Sequence, residues 1–237
     1  MLRLGILAST KGTDMQAVID AINSKKLNAV ISVVVSNKQD AYALERARNH
    51  GIKAVFVDSR ENQRHRESKI LGLSETKSRQ FSGPRNFKKI SRAKGKDKEQ
   101  YDKELSKILD ENKVDLILLI GYMRFLSPWF VNKYKNKIIN IHPSLLPKYA
   151  GGMDKDVHAE VLKNKEKVTG ATLHFVDEGA DTGPVILQKE VKIEKNESVD
   201  TLKEKVQKAE QEIIVKAVDL YSKGKIKVKG NKVLIKK

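Results

Sequence analysis

The chain has 237 residues, of which 39% are apolar and 32% charged, with a formal net charge of +17 and no cysteine. That length supports one α/β domain with an ample core, and the lack of cysteine excludes disulfides and thiolate metal sites. No run of eighteen apolar residues occurs and no charged leader precedes the first strand, so a soluble, cytoplasmic protein is expected, with no membrane partner.

The opening LRLGILAS (2–9) runs apolar and ends in small residues, as a buried parallel strand does, and STKGTD follows as a loop. MQAVIDAI then has apolar residues at helical spacing, NAVISVVVS (28–36) is a β-branched strand, AYALERARNHG (41–51) a helix closed by Gly51, and KAVFVDS (53–59) a third strand. This βαβαβ alternation predicts a parallel sheet with right-handed crossovers.

Residues 60–98 hold thirteen Lys or Arg against four acids, about half of the net charge excess. Their apolar residues follow no sustained period of two or 3.6, so 60–97 is expected to be a basic insertion, loop-like or partly disordered. Such a segment could meet polyanions. A general lysine bias that leaves a solvated basic surface accounts for it as well, and nucleic acid is expected only through non-specific binding.

DKEQYDKELSKILDENK (97–113) then reads as a helix, VDLILLIGY (114–122) as the most apolar strand, and LSPWFVNKYKNK as the start of a helix with Pro128 near its first turn. IINIH (138–142) is a short strand, DVHAEVLKNK (156–165) a helix, and GATLHFVDE (170–178) and PVILQKEVKI (184–193) two more strands. A long helix covers 198–224 with Ser198 as N-cap, and KIKVKGNKVLIKK closes as a basic tail or hairpin around Gly230-Asn231. A single domain over 1–226, interrupted by 60–97 and followed by the basic 227–237, is the expected organisation.

Chemistry concentrates in NIHPSLLP (140–147). On an extended strand Asn140, His142 and Ser144 share one face, and polar groups at the carboxyl end of a sheet strand stand where open α/β sheets bind ligands. Taken alone, His142 is equally readable as a satisfied core histidine. HFVDEGADTGPVI (174–186) changes the balance, because Asp177, Glu178 and Asp181 crowd around glycines in a loop that can bring a carboxylate to the imidazole. Amide, imidazolium and carboxylate together suit acyl transfer: two donors for a developing oxyanion, and a carboxylate that keeps the imidazole charged and accepts the amine's proton.

A Ser144-His142-Asp181 hydrolase is the obvious rival, but the sequence around Ser144 lacks the G-x-S-x-G elbow. The even spacing of His142, His158 and His174 invites a metal triad, yet no H-E-x-x-H occurs and chance explains the spacing better. In STKGTD, Gly12 and Thr13 precede a helix whose free N–H groups could cradle a phosphate, although a simple turn explains the segment too. Gln207 and Glu210 lie one turn apart on the long helix and could share a face.

Together NIHPSLLPKY, HFVDEGADTGPVI, GYMRFLSP (121–128), SNKQDAYALERARNHGI (36–52) and GILASTKGTDMQ resemble the phosphoribosylglycinamide formyltransferases, folate-dependent enzymes of purine biosynthesis. The resemblance covers about residues 2–226 apart from the basic segment. It implies a mostly parallel, Rossmann-like formyltransferase sheet flanked by helices, 10-formyltetrahydrofolate as co-substrate and no metal. It also implies that Asn140 and His142 stabilise a tetrahedral intermediate, with His142 as proton donor, while Asp181 raises the imidazole's pKa and helps the proton leave the substrate amine. Gly12, Thr13 and Asp14 would hold the ribonucleotide phosphate, and Gln207 and Glu210 would reach the glycinamide end. Met123, Arg124, Phe125 and Leu126, with Asp177, Glu178, Gly179, Ala180 and Asp181, would line the pterin pocket.

Two positions depart from the family pattern. Gly12-Thr13-Asp14 stands where a Gly-Ser-Asn is common, which puts an acid beside a phosphate unless Asp14 turns away to cap the helix. Lys98 stands where some members carry a ligand-binding arginine. Methionyl-tRNA formyltransferases share the Asn-His-Asp core and the charge of +17 would suit tRNA, but they resemble two-domain chains and carry a different sequence after LLP than KYAGGMDKD. Formyltetrahydrofolate hydrolases would be expected to carry an extra N-terminal domain. A non-enzymatic RNA-binding protein is opposed by the intact Asn140, His142 and Asp181.

Overall fold

The computed structural model describes residues 1–59, 98–152 and 154–236. The basic insertion expected over 60–97 lies outside them. The first half runs β1 (Leu2–Leu7), α1 (Thr13–Asn23), β2 (Ala29–Ser36), α2 (Tyr42–Asn49) and β3 (Ala54–Phe56). The second runs α3 (Lys98–Glu111), β4 (Leu116–Leu119), α4 (Pro128–Lys133), β5 (Ile138–His142), α5 (Asp154–Lys163), β6 (Val168–Phe175), β7 (Val185–Lys192) and α6 (Val199–Ser222). A short antiparallel hairpin, β8 (Ile226–Lys229) and β9 (Lys232–Ile235), turns through Gly230 at φ +59°.

The main sheet has seven strands in the order β3-β2-β1-β4-β5-β6-β7. The first five pair in parallel and β6 and β7 add antiparallel. Strand alternation sorts the apolar residues to two faces. Leu4, Ile6, Leu116 and Leu118 meet α1, α2, α5 and α6 through Met15, Val18, Leu44, Val161, Leu202 and Val206. Leu7, Ile117 and Leu119 meet α3 and α4 through Tyr101, Leu105, Leu109, Phe130 and Tyr134.

Two local features place the ligand-facing loops. Strand order reverses between β1 and β4, the crevice where open α/β sheets bind ligands, and there Ser9 ties the loops together. Its amide donates to the Gly121 carbonyl at 3.0 Å, while its hydroxyl donates to Asn37 Oδ1 at 2.6 Å and accepts from the Met123 amide at 2.9 Å. Below them, Ser127 caps α4, its hydroxyl accepting from the Phe130 amide at 3.3 Å, with Pro128 at the first helical position.

Three sequence expectations shift. The strand expected over 114–122 pairs only over Leu116–Leu119, because Gly121 takes φ +59° and packs so closely on Thr10 that a Cβ there would stand 2.3 Å from its hydroxyl. The strand expected over 53–59 shrinks to Ala54–Phe56. Helix α1 begins at Thr13 with Gly12 as N-cap at φ +62°, so Asp14 sits inside the first turn rather than capping it.

Candidate active site

Alternation along β5 sends Asn140 and His142 to one face, and the antiparallel register with β6 sets His174 opposite Asn140 and Thr172 opposite His142. The β6–β7 loop then folds back so that Asp181 reaches Asn140, His142 and His174. Its Oδ2 stands 3.2 Å from His142 Nδ1, and its Oδ1 stands 3.2 Å from Asn140 Nδ2 and 3.3 Å from His174 Nε2. The Gly151 amide adds a bond to Oδ2 at 2.8 Å. Asp181 takes φ +57°, a left-handed conformation that Asp tolerates better than most residues.

The loop is held by its own acids. Asp177 Oδ1 accepts from the Gly179 amide at 3.1 Å and the Thr182 hydroxyl at 2.7 Å, and Glu178 Oε1 accepts from Asn132 Nδ2 at 2.8 Å. Gly183 passes so close to the Phe175 carbonyl that a Cβ would lie 1.8 Å from its oxygen, so the strand can re-enter the sheet only at a glycine.

His142 is 3% exposed and His174 2%. Both nitrogens of His142 face oxygens, since Nε2 meets the Tyr149 carbonyl at 2.9 Å. A doubly protonated ring would satisfy both contacts, yet burial outweighs Asp181 and Tyr149 and pushes the imidazole's pKa below its ordinary value. This corrects the expectation that Asp181 keeps the ring charged: the carboxylate raises the proton affinity, but desolvation is larger. For Asp181 the balance runs the other way. Burial alone would raise it, and the His174 bond, the Gly151 amide and the charges of the two histidines together hold it at about 2. The resting site is therefore an ionised carboxylate that accepts from Asn140 Nδ2 and from the Gly151 amide and faces His142 Nδ1 and His174 Nε2.

Ser144 is fully buried, and its hydroxyl donates to the Lys148 carbonyl at 2.6 Å. That bond holds the chain after β5 and takes up the hydroxyl's proton, so the hydrolase reading has no free nucleophile. His158 lies on α5, and among the described residues no group of three His, Cys, Asp or Glu is arranged to hold a metal.

The remaining sequence candidates fall into four places. Gln207 on α6 donates to the Thr13 hydroxyl at 2.7 Å, joining α6 to the first βα loop beside Gly12, while Asp14 and Glu210 are buried at 6% and 9% exposure. In the segment after β4, Met123 and Phe125 are exposed, Leu126 packs into the core, and Arg124 lies over the Tyr101 ring at 4.4 Å. Lys98 opens α3 with its ammonium 6.0 Å from the Phe125 ring centre. Glu178, Gly179 and Ala180 are exposed on the loop that carries Asp181. His174, the Tyr149 carbonyl and the Gly151 amide were not singled out as site groups by the sequence; for His174 the available signal was the pairing of IINIH with GATLHF.

A family model described as Formyl transferase matches residues 2–218. The phosphoribosylglycinamide formyltransferase of Escherichia coli (strain K12) is 34% identical over 235 residues, covering 97% of this chain and 92% of that protein. The crystal structure of glycinamide ribonucleotide transformylase 1 from Symbiobacterium toebii superposes with a TM-score of 0.80 at 31% identity, covering 100% of this chain and 95% of that one. A formyltetrahydrofolate deformylase from Pseudomonas syringae pv. tomato shares the fold alone, at a TM-score of 0.76 and 21% identity over 100% of this chain and 66% of that one.

Proposed function

The chain belongs to the formyl transferase family, and from that premise we infer that it is a phosphoribosylglycinamide formyltransferase, moving a formyl group from 10-formyltetrahydrofolate to the amine of glycinamide ribonucleotide. The observation that carries the mechanism is the convergence of Asn140, His142 and His174 on the single carboxylate of Asp181.

Asn140 and His142 direct their N–H groups at the space that the carboxylate now fills. When the substrate amine adds to the formyl carbon, those donors shift to the new oxyanion, which is stabilised most when its charge is fully developed. The buried imidazole gains proton affinity as that second negative charge grows beside it, and a ring protonated on both nitrogens donates from Nδ1 to the oxyanion while Nε2 keeps the Tyr149 carbonyl. Asp181, ionised above about pH 4 because its pKa is held at about 2, accepts the proton that the amine must lose, directly or through water. Collapse of the intermediate then breaks the bond from the formyl carbon to N10 of the folate, and N10 takes up the proton that the amine gave up, returned from Asp181 directly or through water. His174 anchors the far side of Asp181, its Nδ1 lying 2.9 Å from the Phe175 carbonyl.

Substrate placement follows the loops at the sheet's switch point. Gly12 and Thr13 offer the start of α1 to the ribonucleotide phosphate, and Gln207 and Glu210 approach from α6. Met123, Phe125 and the Asp177–Asp181 loop form the pterin side, with Lys98 and Arg124 as its nearby cations. The test is an acceptor panel. Tetrahydrofolate release is expected with glycinamide ribonucleotide and not with methionyl-tRNA or without acceptor; release at the same rate in all three refutes the assignment.

A further inference from the structure

We propose that Glu166, in the turn between α5 and β6, is a positioning residue that holds the Tyr149 carbonyl against His142 Nε2 and so keeps Nδ1 turned toward Asp181 and the transferred group. The proposal rests on the assignment of His142 as the catalytic imidazole.

Tyr149 takes φ +60°. A bulky residue in that left-handed region is strained and persists only when its surroundings fix it. Four side-chain interactions do so here. The buried Ser144 hydroxyl holds the Lys148 carbonyl at 2.6 Å, and the Lys148 ammonium reaches Glu166 Oε1 and Oε2 at 2.9 and 3.2 Å. The Tyr149 hydroxyl donates to Glu166 Oε1 at 3.2 Å and accepts from Asn164 Nδ2 at 3.0 Å. Two of the four end on Glu166, whose own amide donates to the Val161 carbonyl at 3.3 Å. A cleft of about 640 Å³ lies on this side, walled by Leu145, Lys148, Tyr149 and Glu166 and containing none of Asn140, His142 or Asp181. Changing Glu166 therefore leaves the groups facing substrate untouched.

The competing account is an ordinary surface ion pair, since Lys148 is 65% exposed and such pairs contribute little. The two accounts differ in what His142 senses. The groups facing its ring are Asp181 at Nδ1, with His174 behind it, and the Tyr149 carbonyl at Nε2; Asn140 beside them is uncharged. The carbonyl favours the protonated ring, so loosening it moves the imidazole's titration to lower pH, whereas loss of a mere surface pair moves nothing.

The experiment compares Glu166→Ala, Glu166→Asp and Tyr149→Phe with the parent, using steady-state kinetics and imidazole nitrogen NMR. In Glu166→Ala, kcat is expected to fall about tenfold, as for misorientation of a reacting group, with both KM values within about twofold of the parent. The His142 titration is expected to move down by about half a pH unit, and Glu166→Asp is expected to recover part of both effects. Unchanged kcat with an unchanged titration overturns the proposal, as does a loss of kcat that leaves the titration in place. If Glu166→Ala fails to fold, Tyr149→Phe decides on the same readouts, since it keeps the ion pair and removes only the hydroxyl link. A parent inactive on glycinamide ribonucleotide would refute the assigned function, while the NMR titration would still decide the role of Glu166.

Discussion

Replacing Asp181 by Asn removes the charge on which the site converges and leaves its backbone at ease, because Asn tolerates the left-handed conformation that Asp181 adopts at φ +57°. An amide keeps one acceptor where the carboxylate has two, and it turns an NH₂ either toward Asn140 and His174, now at 3.2 and 3.3 Å from Oδ1, or toward His142 and the Gly151 amide, now at 3.2 and 2.8 Å from Oδ2. The variant also loses the group that takes the amine's proton. Turnover is expected to fall by roughly two to four orders of magnitude, or about 3–5 kcal/mol at the barrier. Stability carries a second signature. The folded pKa of Asp181 is lowered from 3.8 to about 2, so its stabilising contribution is complete above pH 4 and disappears as pH falls through 2. Two units correspond to about 2–3 kcal/mol, so the variant should melt earlier than the parent at pH 7 and converge with it near pH 2. Steady-state kinetics and thermal scans across that range check both. Turnover above about a tenth of the parent, or a melting difference that does not change with pH, would refute the reasoning.

His142 adds a step at higher pH: its folded pKa lies below 6.5, the unfolded chain protonates first, and stability should fall as pH drops through 6.5, a step that calorimetry should find missing in His142→Asn. Gly12→Val should raise the KM for the ribonucleotide and spare folate binding, since Gly12 is at φ +62° and a Cβ would stand 2.9 Å from that of Ala43; an unchanged KM would make the loop a plain turn. Ser144→Ala should keep turnover within about tenfold while lowering stability by about 1 kcal/mol through the lost Lys148 bond, as measured by denaturant unfolding. Replacing residues 62–94 by a Gly/Ser linker should leave turnover within about threefold while weakening salt-sensitive RNA binding, and a collapse of folate affinity would instead give the basic segment a place in the site.

Much of this was legible in the sequence because it is written locally. Two-residue alternation in LRLGIL and LILL sets which side chains face which core, and the same alternation puts Asn140 and His142 on one face. The acids around Gly179 and Gly183 announced a tight carboxylate-bearing loop. What stayed hidden depends on register, main chain or burial. His174 meets Asn140 only because β5 and β6 pair in one particular register, 34 residues apart in sequence. The Tyr149 carbonyl and the Gly151 amide are main-chain groups, to which residue identity gives no clue. The net shift of His142 depends on how deeply the ring is buried, which its neighbours in sequence do not reveal. Gly121 ends β4 early because of a backbone angle and the approach of Thr10, not through any loss of apolar character in VDLILLIGY.

Direct transfer at Asn140, His142 and Asp181 is tested most squarely by the fate of a labelled formyl group. The protein is mixed with 10-[¹³C]formyltetrahydrofolate, with and without glycinamide ribonucleotide, and carbon NMR follows the label while absorbance follows tetrahydrofolate. The prediction is one label on the ribonucleotide's amine for each tetrahydrofolate released, with no release when the acceptor is omitted. Labelled formate, or tetrahydrofolate released at the same rate without acceptor, would mean that the site delivers the formyl group to water and would contradict the account.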